Sequence, residues 1–312
     1  MIKRTLYFGN PSMLSLRNKQ LLLRFPDLEK HPEVKNISPE KGELTFPIED
    51  LGMIILDHQQ ITITHALISE LMENNVAVVT CNNSHHPHGL LLSLHSNTLQ
   101  SERYKEQIEA SEPLKKQLWA QIVQQKIINQ AKTLKRLHPK NDVEYLIKLS
   151  KNVKSGDSDN REAVAASVYW SKIFPMIENF VRNREGMPPN NLLNYGYAIL
   201  RATTARCIVE AGLLPTLGIH HHNRYNAYCL ADDLMEPYRP IVDKLVYAII
   251  IKYGIETELT KEIKTELLTI NYVDCEINGE TSPLQIACQK TARSLQRCFE
   301  GSQRKLLLPD VI

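Results

Sequence analysis

The hydrophobic period changes once along this chain, close to residue 97, and that change limits the possible folds more than any other feature. Up to about Ser96, apolar residues come in short runs with turn signals between them: Arg4–Phe8, Ser12–Leu16, Lys19–Phe25, Leu44–Ile48, Met53–Leu56 and Val76–Thr80. Such runs predict strands, with Arg17-Asn18 suited to a tight hairpin and Met53–Leu56 to a buried strand. One helix interrupts them, from His65 to about Asn74, with Thr64 as its N-cap. From Leu99 onward the spacing is helical. Leu114, Leu118, Ile122, Ile127, Ala131 and Leu134 recur at helical intervals behind Ser111 and Pro113. Further helices are expected from Asn160 to about Ile173, over Leu192–Ala211, over Thr260–Ile270 and from Ser282-Pro283 to Gly301. Asn278-Gly279 suggests a hairpin turn. The expected fold class is α+β: a small N-terminal β-sandwich-like domain, residues 1–96, and a larger all-α domain, residues 97–312.

A chain of 312 residues can bury one or two substantial cores. Its net charge of +2 does not mark a nucleic-acid binder, so any basic footprint must be local. Lys115, Lys116, Lys126, Lys132, Lys135, Arg136 and Lys140 decorate one helical stretch, either as a solvated face or as a stripe facing DNA phosphates. Lys290, Arg293 and Arg297 form a basic side of the last helix. Six scattered cysteines without Cys-x-x-Cys suggest reduced thiols in a cytoplasmic protein. No apolar core follows Met1–Thr5 and no run approaches a membrane span, so neither a signal peptide nor a membrane partner is expected. The segment Leu306–Ile312 is apolar and either packs on its own domain or docks a partner.

Chemistry concentrates in Gly218–Asp243, GIHHHNRYNAYCLADDLMEPYRPIVD. One reading makes Asp232 or Asp233 the N-cap of a helix from about Leu234 to Lys252, kinked near Pro240, with Glu236 in its first turn. The other makes His221, Asp233 and Glu236 parts of a metal site, because Asp233 and Glu236 stand i,i+3 and a polar loop can fold His221 over them. Capping accounts for an acid but not for the histidines. A second histidine group, His85, His86 and His88 in NNSHHPHG, reads as a polar turn around Pro87 or as another metal site, though no carboxylate lies nearby in sequence.

Gly-x-x-His, then Asp-x-x-Glu, then Pro-Tyr-Arg-Pro, preceded by a Glu opening the Ala-rich helix Arg161–Trp170, resembles the CRISPR-associated integrase family that captures new spacers. These pieces occur in the family's order. The version with His220-His221-His222-Asn223 and Asp232-Asp233-Leu234-Met235-Glu236-Pro237 is similar to members from type II systems. Glu162 also has a structural reading, as part of a capping box with Asp159. The resemblance implies catalytic metal ligands Glu162, His221 and Glu236, with Asp233 ranked below them as an acid behind the ligands. Two carboxylates and one imidazole suit Mg²⁺ or Mn²⁺. Arg161, Arg224 and Arg239 flank these residues and are candidate DNA contacts. The implied reaction is metal-dependent transesterification, in which a prespacer 3′-OH attacks the CRISPR repeat. The implied partners are double-stranded DNA, a second copy of the chain, a small bridging adaptation protein and the type II effector nuclease. Two alternatives stay open: a hydrolase of another phosphodiester, and a non-catalytic DNA-binding scaffold whose acids are only caps.

Overall fold

The computed structural model describes residues 2–26 and 43–312. The chain divides into two compact units, Met1–Ser96 and Asn97–Ile312.

The first unit carries eight strands among its described residues: β1 (Arg4–Phe8), β2 (Ser12–Arg17), β3 (Gln20–Arg24), β4 (Glu43–Pro47), β5 (Leu51–Leu56), β6 (Ile61–Ile63), β7 (Ala77–Cys81) and β8 (Pro87–Leu91). They form two four-stranded sheets, ordered β1-β5-β7-β8 and β4-β3-β2-β6. Helix α1 (His65–Glu73) is capped by Thr64 Oγ1, which accepts from Leu67 N. Leu14, Leu21 and Leu23 from one sheet and Leu51, Ile54 and Val78 from the other meet Leu67 and Leu71 in one buried core. β5 is central and pairs in parallel on both sides, which explains its unbroken apolar run. β6 and β8 lie beyond the sequence reading. Pro87 does not centre a turn: the turn is 82–86, and Pro87 opens the edge strand β8, where a missing N–H is tolerated. The His85 ring lies 3.0 Å from the buried Asp57, which also accepts from Tyr7 Oη at 2.5 Å. The carboxylate near this histidine loop thus comes from across the fold.

The second unit is built on helices α2 (Gln100–Glu109), α3 (Glu112–Leu137), α4 (Glu144–Lys151), α5 (Arg161–Ile173), α6 (Asn190–Glu210), α7 (Cys229–Met235), α8 (Arg239–Tyr253), α9 (Lys261–Leu268) and α10 (Leu284–Glu300). It is not purely helical. β9 (Asp274–Ile277), β10 (Glu280–Pro283) and β11 (Asp310–Val311) form a small sheet. The β9–β10 hairpin turns on Asn278 and Gly279, both at positive φ, as the dipeptide requires. The helix expected from Leu234, kinked near Pro240, is instead two helices, α7 and α8, joined by a 3₁₀ turn at Glu236–Tyr238. Pro237 and Pro240 each open a helical segment, where proline costs no hydrogen bond. Asp232 and Asp233 lie inside α7 and cap nothing. After Phe174 the chain does not resume a helix before α6.

α3 is the axis of this unit. It packs Leu118, Trp119, Ile122, Val123, Ile127 and Leu134 inward. The segment after α10 lies along it. Gln121 Oε1 accepts from Leu306 N, Gln125 Nε2 donates to Asp310, and buried Asn129 donates to Pro309 O while accepting from Val311 N. Residues 306–311 therefore pack on their own domain.

Candidate metal and phosphodiester site

α5 begins with Asn160 in the left-handed region, and Asp157, not Asp159, caps it. The Asp157 carboxylate accepts from Arg161 N at 2.8 Å and Glu162 N at 3.0 Å. This replaces the expected capping box. Asp159 pairs with Lys154, and the Glu162 side chain is left to turn toward α3. There Lys126 Nζ lies 2.6 Å from Glu162 Oε1 and 2.5 Å from Glu236 Oε2. One ammonium thus joins two acids that are far apart in sequence. Arg239 Nε stands 2.9 Å from the other oxygen of Glu236, and its guanidinium lies over the Tyr197 ring. Burial works against the Glu236 charge, but Arg239 and Lys126 outweigh it and hold the acid at about 2. Burial likewise opposes the Lys126 charge, and the two carboxylates keep its ammonium above the ordinary lysine value.

His221 reaches this site from a loop folded around Asp233. The fully buried Asp233 carboxylate accepts from the backbone N–H of Ile219, His220 and His221, at 2.6, 2.9 and 3.2 Å. It also holds His221 Nδ1 at 2.5 Å, which raises the imidazole above its ordinary value. Gly218 is obligatory here, because a Cβ would lie 2.3 Å from the His221 carbonyl and 2.9 Å from Asp233 Oδ2. The neighbouring rings go elsewhere. His220 stacks on buried Trp119 with centroids 4.2 Å apart, and burial lowers its pKa, while His222 is exposed. With Nδ1 committed to Asp233, Nε2 of His221 is the nitrogen free to ligate.

Glu162, Glu236 and His221 lie within electrostatic reach of one another. In the present arrangement they do not close into a cage. Among the described residues no three His, Cys, Asp or Glu side chains are grouped to enclose an ion. The residues nevertheless fit a hard divalent cation. Glu236 Oε2 is buried and has only an ion pair with Lys126 that lacks hydrogen-bond alignment. Two carboxylates and one imidazole nitrogen complete the donor set.

Of the arginines, Arg239 is committed to Glu236 and Tyr197, Arg161 pairs with Asp159 at 3.5 Å, and exposed Arg224 lies over Tyr225 on the rim of a cleft of about 410 Å³ that reaches His221. Sequence reading placed Lys126 in a basic stripe, either solvated or facing DNA phosphates. It sits four residues after Ile122 and three after Val123, on the buried face of α3, and that slot was the available signal. Asp243, which accepts from Tyr169 and Tyr197, was also missed.

The fold is shared with a casposase and with CAS1 proteins of known structure. A casposase bound to its integration product matches with a TM-score of 0.75 at 21% identity, covering 98% of this chain and 92% of that one. A CAS1 protein from Thermotoga maritima matches with a TM-score of 0.72 at 16% identity, covering 97% and 99%. In sequence, the family model described as CRISPR associated protein Cas1 matches residues 27–269. A CRISPR-associated endonuclease Cas1 of Neisseria meningitidis serogroup C (strain 8013) is 35% identical over 314 residues, covering 100% of this chain and 97% of its own length. One from Pyrobaculum aerophilum is 26% identical over 273 residues, covering 84% and 92%. The chain belongs to the Cas1 family.

Proposed function

We propose that this protein is a metal-dependent DNA endonuclease and integrase that inserts prespacer DNA into a CRISPR array. The observation that carries the reading is the gathering of Glu162, Glu236 and the Asp233-held His221 in a chain similar over its full length to a Cas1 endonuclease. Glu162, Glu236 and His221 Nε2 would hold Mg²⁺ or Mn²⁺. When bound, the ion polarises a phosphoryl oxygen and offsets charge that develops in an in-line displacement.

The chain's own residues prepare that chemistry. Arg239 and Lys126 keep Glu236 ionised far below neutral pH. Asp233 fixes the proton of His221 on Nδ1 and the direction of the ring. Arg224, on the cleft beside His221, and Arg161, at the start of α5, are placed to contact phosphates. No dedicated protein nucleophile is needed. The two tyrosines on Asp243 are buried and donate their hydroxyl protons to it, and burial holds both far above the ordinary phenol value. The attacking group is then the prespacer 3′-OH. Its oxygen gives up its proton to solvent and bonds to the repeat phosphorus, the phosphorus–O3′ bond of the repeat breaks, and the leaving O3′ takes up a proton from solvent.

The partners that follow are double-stranded DNA, a second copy of the chain bound through the first unit, a small bridging adaptation protein and the type II effector nuclease. A Cas6-RT-Cas1–Cas2 complex contains a chain of the same fold, with a TM-score of 0.73. The test is a joining assay with a 3′-OH duplex, a supercoiled repeat plasmid and the bridging protein. A dideoxy 3′ end should abolish joining and leave DNA binding intact, since binding rests on phosphate contacts. Glu162→Ala should abolish both joining and nicking. Free 3′-OH ends without joined product would show a hydrolase. A covalent protein–DNA adduct would rule out direct transesterification.

A further inference from the structure

Lys126 stands where a cation is wanted. Its ammonium contacts one oxygen of Glu162 and one of Glu236, and its side chain is only 12% exposed. The buried face of α3 aims it there, between Val123 and Ile127 on one helical turn and Gln130 on the next. We infer that Lys126 is a built-in stand-in for the divalent cation: it holds Glu162 and Glu236 together while no ion is bound, and an incoming ion must displace its ammonium. The inference rests on the reading of Glu162, His221 and Glu236 as the ion's ligands.

Two carboxylates brought together at a place shielded from water repel, and a cation between them is what lets α5 and the turn after α7 stay close. An ammonium and a divalent ion would compete here, because the ammonium occupies one oxygen of each of the two carboxylates that would hold the ion. Displacement is therefore part of ion binding and weakens it. The displaced group has somewhere to go. A cleft of about 230 Å³ is bounded by Lys126, Arg182, Tyr197, Glu236, Arg239 and Asp243. There the ammonium would join two guanidinium groups, and a DNA phosphate oxygen would be its new partner. One lysine thus links the arrival of the ion to the appearance of a free cation for the nucleic acid.

Mn²⁺ binding to the full chain without DNA, followed by calorimetry and by the Mn²⁺ paramagnetic resonance signal, tests this. Lys126→Met removes the competitor and should tighten Mn²⁺ binding about tenfold, within the ~5–150-fold span of coupled ligands. Lys126→Arg keeps a competing charge and should bind no tighter than the unaltered chain. Unchanged or weaker Mn²⁺ binding by a folded Lys126→Met, with Glu162→Gln still abolishing binding, would overturn the inference and leave the ligand assignment standing. Mn²⁺ binding indifferent to Glu162→Gln would overturn both. If Lys126→Met does not fold, nitrogen NMR of the lysine ammonium groups in the unaltered chain decides, with Lys126→Arg giving the assignment. Saturating Mg²⁺ should move the Lys126 signal, and an unmoved signal would overturn the inference.

Discussion

Asp233 shows how much one carboxylate can organise. Three backbone N–H groups and an imidazole converge on it at zero exposure, so an amide in its place would turn a donor toward donors. Asp233→Asn is a nearly isosteric change. The contacts predict a severe one: a loss of about 3 kcal/mol, in the range for breaking a buried charged network, visible as a lower unfolding midpoint in urea together with weaker Mn²⁺ binding. Asp243 behaves differently. Burial raises it to about 6, against the two donating tyrosines, so the folded chain holds this proton more tightly than the unfolded chain does. Its contribution to stability is fully present below about pH 4 and lost as pH rises toward 6, amounting to about 3 kcal/mol at 1.36 kcal/mol per pH unit. Unfolding free energies across pH 4–7 should show this decline in the unaltered chain, and Asp243→Asn should lack it. Local signals at this scale were legible. Thr64 caps its helix as the sequence predicts, and Ser111 and Thr260 cap the helices expected to begin beside them. Lys126 was not read, because its partners come from α5 and the turn after α7, and a lysine near other lysines looks like surface until its helical phase is counted.

At the scale of elements, α3 couples the site to the segment beyond α10. Asn129 donates to Pro237 O, next to Glu236, and to Pro309 O, with its own oxygen accepting from Val311 N. Asn129→Ala should leave these buried groups unpaired and cost about 3 kcal/mol at ~1–3 kcal/mol per orphaned group, less what relaxation recovers. Hydrogen exchange should then speed up selectively over residues 236–240 and 306–311. Acceleration confined to α3 itself would contradict the coupling. The α7–α8 break was misread for a physical reason. Apolar spacing continues across it, and proline at the first position of a helix is as welcome as it is disruptive inside one. Asp232, expected as a cap, pairs instead with Arg201 at 2.6 Å and accepts from Asn226.

For the whole molecule, the change of hydrophobic period near residue 97 marked the division into two units, since strands and helices bury their apolar residues at different intervals. In the small three-stranded sheet the hairpin at Asn278-Gly279 was legible, but β11 was not, because it holds two residues. Among its described residues the first unit presents β1, β4, β6 and β8 as sheet edges, whose unpaired backbone groups a second copy could cover. We expect a homodimer through this unit, seen as twice the chain mass by light scattering at micromolar concentration. A monomer under those conditions would count against it. The turn that carries Glu236 is steadied by a strand made much later in the chain, through Asn129. During synthesis, then, the acid pair cannot be fully braced until residue 309 has left the ribosome, so this corner of the unit sets after the helices around it have been made.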